Sequence, residues 1–285
     1  VAGSRWSRLA QHRMSDVKLD SVELVLCDMD GTLLLPDHTI SPRNLAAVKA
    51  LQAAGIHFTL ATGRPPRAMR EYIRQLGIEL PTAGFNGGVL VNADGSYLQS
   101  HHVPYEAVLK TLALLSGHDV EIWVFADDEW LLRDPLGPMV AHEQQGLGYA
   151  PLVVESFEPY LHRVDKIVAT TSNAPLLVEL EQSLQQVLSG EASASRSQAR
   201  YLDITALKAN KGDALAALAE HLGVPLERTV AIGDGGNDPA MFHRAGLSIA
   251  MGQAEAQVRE QAMQVTGSNV EDGVAQVIER LILQR

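Results

Sequence analysis

The sequence predicts an α/β protein in which a doubly wound parallel sheet is split by an inserted α+β segment. Three observations carry this. Short apolar runs alternate with stretches of helical spacing up to Leu76, the alternation is lost between Gly87 and Thr205, and it resumes at Lys211. A length of 285 residues with 46% apolar and 20% charged content allows one or two compact folded domains.

Residues 22–27 form an apolar run of the kind that makes a strand buried on both faces, and the run stops at Asp28. Ser41-Pro42 supplies an N-cap and a first-turn proline. Leu45, Val48 and Leu51 follow at helical spacing, and Gly55 ends that helix. Residues 56–61 read as the next strand, Thr62-Gly63-Arg64 as its exit loop, and residues 66–76 as a second helix closed by Gly77. Beyond Asn86-Gly87, residues 89–91 and 96–99 flank Asn92-Ala93-Asp94-Gly95, a hairpin signal rather than a crossover, so a second domain is expected to begin there.

Inside the insert the pattern predicts a helix at 105–116, strands at 120–126 and 129–133, a strand at 166–170, a helix at 175–188 and a strand at 200–204. The small polar stretch 189–198 reads as a loop. The parallel pattern then continues with a helix at 211–222, a strand at 229–232, the loop Gly233-Asp234-Gly235-Gly236-Asn237-Asp238 and a strand at 247–250. Ser268-Asn269-Val270-Glu271 is a capping box that should open a last helix reaching 283. The expected domains are a core of residues 19–86 and 206–285 and an inserted cap of residues 87–205.

Twenty-three basic and thirty-four acidic residues give a net charge of −11 without a dense basic run, which disfavours nucleic acid and anionic membrane as partners. The single cysteine, Cys27, cannot form an internal disulfide, and no uninterrupted apolar stretch reaches the roughly 18 residues of a membrane span. The expected compartment is a reducing cytoplasm. Residues 1–18 are expected to be a disordered leader. Within residues 1–13, Arg5, Arg8 and Arg13 occur without an acid or an apolar core, as in an expression-derived extension, a misplaced start or a trimmed targeting segment.

Asp28-Met29-Asp30-Gly31-Thr32 places two carboxylates just past a buried strand, at the sheet edge where doubly wound folds bind ligands. Crowded carboxylates raise one another's pKa unless a cation offsets them, and a divalent metal is the simplest remedy. An Asp-Gly turn bonded to its own backbone is the plainer alternative. The second acidic loop argues against coincidence, because Asp234 and Asp238 also follow an apolar strand. An oxygen-only donor set without His or Cys favours Mg²⁺ over zinc. Thr62 could donate to an anion or merely cap the following helix. Lys211, next to Asn210 and Gly212 at a helix start, is the better cation candidate, with a solvated lysine as the alternative.

Asp-Met-Asp-Gly-Thr, Thr62, Lys211 and Gly-Asp-Gly-Gly-Asn-Asp, in this order, resemble the four motifs of haloacid dehalogenase-superfamily phosphatases. The length of the insert resembles the Cof-type branch (subfamily IIB), whose Rossmann-like core carries an α+β cap. The resemblance spans the chain from Leu19 onward, with Pro239-Ala240-Met241-Phe242 after the fourth motif as a mild departure where the branch more often has Met-Leu. It implies a phosphoric monoester hydrolase in which Asp28 is the nucleophile that forms an aspartyl-phosphate, and Asp30 the acid that protonates the leaving alkoxide and then activates water. It further implies Mg²⁺ held by Asp28, the Asp30 carbonyl and Asp234, with Asp238 in support, and a phosphoryl group surrounded by Thr62, the amides of Met29 and Gly63, Lys211 and Asn237.

The substrate expected is a small phosphorylated metabolite: a sugar phosphate, nucleotide or cofactor phosphate. Asn86 and Lys166 are candidate substrate contacts, with a hinge turn and a surface strand lysine as their plainer readings. Trp123 and Trp130 read as cap core, Cys27 as packing, and His101-His102 as strand neighbours facing opposite ways. Two other functions stay open. A phosphomutase would use the same nucleophile and is excluded by release of free phosphate without a bisphosphate activator. A non-catalytic sensor is excluded by turnover of a generic aryl phosphate.

Overall fold

The computed structural model describes residues 22–198 and 200–283; the expected leader, residues 1–18, lies outside the described residues. Strands β1 (Leu24–Cys27), β2 (His57–Leu60), β12 (Thr229–Gly233), β13 (Leu247–Ala250) and β14 (Gln264–Val265) form one sheet in the order β14-β13-β12-β1-β2. Every pairing in it is parallel. Alternation along β1 divides its side chains between two cores. Val25 and Cys27 pack with helices α1 (Pro42–Ala53) and α2 (Pro66–Leu76), whereas Leu24 and Leu26 pack with α6 (Lys211–Leu222) and α7 (Pro239–Phe242). Covered on both faces, the sheet is doubly wound as its unbroken apolar strands predict.

Strand β3 (Thr82–Gly84) extends this edge through a parallel bridge from Ala61 to Ala83. The hairpin of β4 (Val89–Val91) and β5 (Tyr97–Ser100), which the sequence suggests as the start of the insert, is hydrogen-bonded to β3 in a three-stranded antiparallel sheet. His101 and His102 fall after β5 rather than on a strand.

A second sheet combines β6 (Glu121–Ala126), β7 (Glu129–Leu132), β8 (Leu152–Val153), β9 (Val164–Thr170), β10 (Ala192–Gln198) and β11 (Tyr201–Ala206) in the order β10-β11-β9-β6-β7-β8. Its outer face packs on α3 (Tyr105–Leu115) and α5 (Ala174–Val187). Its inner face meets α4 (Val140–Leu147) together with Ala68, Phe85, Val89 and Val91. Trp123 and Trp130 are buried in this inner cluster, which bears out their reading as core.

Two local expectations are corrected. The stretch read as a loop at 189–198 contains β10, because its backbone pairs antiparallel with β11 and buries Ala192 and Ala194 despite a composition with weak strand preference. The capping box at Ser268 is present, with the Ser268 amide donating to Glu271 Oε2 at 3.0 Å, but it caps a single tight turn. Asp272, at φ 59°, breaks the path before α8 (Gly273–Val277), so no continuous helix runs from 269.

Candidate active site

The sheet brings the motif loops to one edge. β1 lies between β12 and β2, its own two neighbours, so the loops after all three strands open at the same C-terminal end, where the chain reverses its direction across the sheet. The Asp28 amide donates to the Ile232 carbonyl at 2.9 Å, and the Ala61 amide to the Cys27 carbonyl at 3.0 Å, which fixes the depth of Asp28 against Asp234 and Thr62. Cys27 is wholly buried beneath, as packing requires.

At the centre lies Lys211, with no exposed surface. Its Nζ is 2.5 Å from Asp28 Oδ1 and 2.6 Å from Asp238 Oδ1. The reading of Lys211 as a solvated lysine is therefore overturned, since the turn at Asn210 aims it into the interior, where two carboxylates hold its charge. Asp238 spends its second oxygen on the amides of Asp234 and Gly235, each at 2.8 Å, and so shapes its own loop. Gly233 permits that closure: a Cβ there would lie 2.3 Å from the Asp238 carboxyl carbon.

Asp234 Oδ1 accepts from Thr32 Oγ1 at 2.9 Å, and Asp234 Oδ2 meets the Gln253 amide at 3.5 Å. Gly31, at φ 77°, lets the first loop pass close by, since a Cβ would fall 2.2 Å from Asp234 Oδ2. Asp28, Asp234 and Asp238 each offer a carboxylate oxygen within 4.8 Å of the others. Three carboxylates thus face the single ammonium of Lys211. Burial pushes the Asp28 carboxyl well up, against the opposing pull of Lys211. Burial also raises Asp234, against its hydrogen bond from Thr32. Lys211 is raised in turn: burial works against its charge, and Asp238 and Asp28 outweigh it. Such a group fits a further cation with hard oxygen preference, and the residues present suit Mg²⁺.

Asp30 points elsewhere. Arg64 grips its carboxylate with both ends of the guanidinium fork, and His38 Nδ1 lies 3.5 Å away. Partial burial would raise Asp30, but the hydrogen bonds and charge of Arg64 outweigh it and hold the carboxyl below its usual range. Arg64 also donates to the Gly146 carbonyl at the end of α4, at 2.9 Å, and lies over the Tyr72 ring.

The buried Thr62 receives the Arg64 amide on its hydroxyl at 3.2 Å. Gly63 lies against Asn86, whose side-chain oxygen accepts from Asn237 at 2.7 Å, so Asn86, Gly63 and Asn237 meet at one rim. Met29 is fully buried and follows Asp28 directly. Lys166 is not in this group. It sits on β9, 2.7 Å from Asp203 Oδ2, with its side chain 12% exposed, so it is no open surface lysine. Sequence reasoning missed Arg64, although it directly follows Thr62-Gly63. It missed Gln253 as well, which no local pattern marks.

The sequence profile of haloacid dehalogenase-like hydrolases matches residues 25–278. The chain belongs to the haloacid dehalogenase-like hydrolase family. An HMP-PP phosphatase of Yersinia pseudotuberculosis is 33% identical over 255 residues, covering 88% of this chain and 92% of the relative. A haloacid dehalogenase-like hydrolase from Bacteroides thetaiotaomicron superposes with a TM-score of 0.84 at 29% identity, covering 91% of this chain and 99% of that one. A sugar phosphatase of subclass IIB shares the fold with a TM-score of 0.79 at 24% identity, over 90% of this chain and 98% of its own. The family resemblance and the enzyme class read from the motifs, a phosphoric monoester hydrolase, agree with these likenesses. Among the described residues, no helix is long and apolar enough to cross a membrane.

Proposed function

We propose that this haloacid dehalogenase-like hydrolase is a Mg²⁺-dependent phosphatase of a small phosphorylated metabolite, working through an aspartyl-phosphate on Asp28. The observation that carries the reading is the buried contact of Lys211 with Asp28 and Asp238, beside Asp234, at the open end of the parallel sheet. Asp28, the Asp30 carbonyl and Asp234 would hold the metal, with Asp238 in support. Bound there, the metal supplies positive charge against the carboxylates and the transferring phosphoryl group.

Asp28 keeps one oxygen away from Lys211 and attacks phosphorus with it, displacing the alkoxide of the substrate. Lys211, the Thr62 hydroxyl, the amides of Met29 and Gly63, and Asn237 stabilise charge that spreads over the equatorial phosphoryl oxygens. Asp30 gives a proton to the leaving oxygen, then takes one from the water that cleaves the aspartyl-phosphate. The Arg64 pair favours the ionised Asp30 that the second step needs. Proton donation in the first step requires that grip to loosen as the leaving group enters. Asn86 lies at the rim beside Asn237 and is assigned to substrate positioning.

HMP-PP, which the Yersinia relative is named for, and sugar phosphates are the first substrates to try. A metal-supplemented panel of phosphorylated metabolites, assayed by phosphate release, tests the reading. The wild type should release phosphate, and Asp28→Asn should reduce release by at least about three orders of magnitude while its circular dichroism stays unchanged. Undiminished turnover by the folded Asp28→Asn variant overturns the mechanism.

A further inference from the structure

The inner face of the six-stranded sheet holds an ion pair that packing does not explain. Lys166 Nζ and Asp203 Oδ2 are 2.7 Å apart, with side chains 12% and 8% exposed. Asp203 Oδ1 has no hydrogen-bond partner among the described residues. A buried pair of this kind is weak support for stability, and an unmet carboxylate oxygen destabilises the fold unless something else satisfies it.

The registers locate the pair. Phe125 is opposite Lys166, and Val168 is opposite both Trp123 and Asp203, so these side chains share one face. Two independent contacts join that face to the catalytic edge. Phe125 lies 5.6 Å from Phe85, the neighbour of Asn86, which is bonded to Asn237. The helix α4, packed on the same face through Val140 and Leu147, gives its Gly146 carbonyl to Arg64, the residue that holds Asp30.

We propose that Lys166 and Asp203 form the subsite that reads the leaving group of the substrate, binding one that carries a hydrogen-bond acceptor beside a donor. The ammonium meets the acceptor and the free Asp203 oxygen takes the donor. Vicinal hydroxyls of a sugar phosphate and the ring nitrogen and amino group of an aminopyrimidine phosphate share this chemistry. The inference rests on the phosphatase reading given above.

The test compares the full-length wild type with Lys166→Met and Asp203→Asn, in Mg²⁺, on three probes: a hexose phosphate with free vicinal hydroxyls, a dideoxycytidine monophosphate, and p-nitrophenyl phosphate, which has no such pair. Each folded variant should lose roughly 10- to 100-fold in kcat/KM on whichever of the first two the wild type hydrolyses, and stay within about twofold on p-nitrophenyl phosphate. The probe affected tells the sugar from the heterocycle. Should a single variant fail to fold, the double variant K166M/D203L replaces both charges with apolar groups and is read the same way.

Equal losses on all probes, no loss on any, or a wild type active on p-nitrophenyl phosphate alone each overturn the subsite while the phosphatase reading stands. A wild type inactive on every probe and on the metabolite panel removes both.

Discussion

Arg64 Nε donates to Asp30 Oδ2 at 2.7 Å and Arg64 Nη2 to Asp30 Oδ1 at 2.6 Å, while Arg64 Nη1 reaches the Gly146 carbonyl at 2.9 Å. One guanidinium therefore fixes the proposed acid–base and touches the helix that covers the inner face of the second sheet. This two-point grip depends on the planar fork, which an ammonium cannot reproduce. Arg64→Lys should lower kcat roughly 10-fold and Arg64→Ala roughly 100-fold, with little change in KM, in steady-state assays with p-nitrophenyl phosphate. An unchanged kcat in Arg64→Ala would show that Asp30 needs no such support.

Lys211 is enclosed, and its partners Asp28 and Asp238 are themselves buried. Removing the ammonium leaves two carboxylates facing one another without compensation. Lys211→Ala should destabilise the fold by about 3–5 kcal/mol, read from urea denaturation in the presence of a chelator. A loss below about 1 kcal/mol would mean that water or protons replace the ammonium freely.

If the proposed site holds magnesium, the ion should raise the melting temperature, because the unfolded chain offers no such carboxylate cluster. At a free concentration of 100 times its Kd the gain is about 2.7 kcal/mol. Asp234→Asn should remove the shift. Gly31→Ala should weaken it, since the new methyl group would collide with Asp234 Oδ2 and the backbone there is left-handed. A shift of equal size in Asp234→Asn would place the ion elsewhere.

Between the hairpin and the second sheet, His102 Nδ1 lies 2.9 Å from Asp165 Oδ1, with Ser100, Asp127 and Arg163 around them. The hydrogen bond from His102 to Asp165 lifts the imidazole pKa above its ordinary value, and burial lifts Asp165. A raised folded-state pKa adds stability below the unfolded value and loses it as pH climbs through the folded one, and both shifts have this sign. For the imidazole the window starts near its unfolded value of about 6.5 and extends upward. The melting temperature should therefore fall as pH rises through that window, and His102→Gln should flatten the fall. Equal slopes in the two proteins would remove the pair from the pH response.

The periodicity of the chain made most strands and helices legible, because residues such as Val25, Cys27, Leu45 and Val48 follow the spacing of a sheet covered on both faces. It failed where pairing rather than composition decided the outcome. The Ala-Ser repeats of β10 become a strand only because β11 offers a backbone ladder. Within the candidate site, Asp28, Asp234, Asp238 and Lys211 were readable because each sits at the end of a patterned element. Arg64 and Gln253 were not, since their partners are distant in sequence and no local spacing records them.

By itself the sequence determined the alternation of elements, the acidic loops and the family, for these depend on local pattern and motif order. The tertiary structure alone decided which charges share a site. It buried Lys211 between two carboxylates, turned Asp30 onto Arg64 and paired Lys166 with Asp203. The reason is physical: an ion pair is set by distance and desolvation in the folded chain, and neither quantity is written in the order of residues.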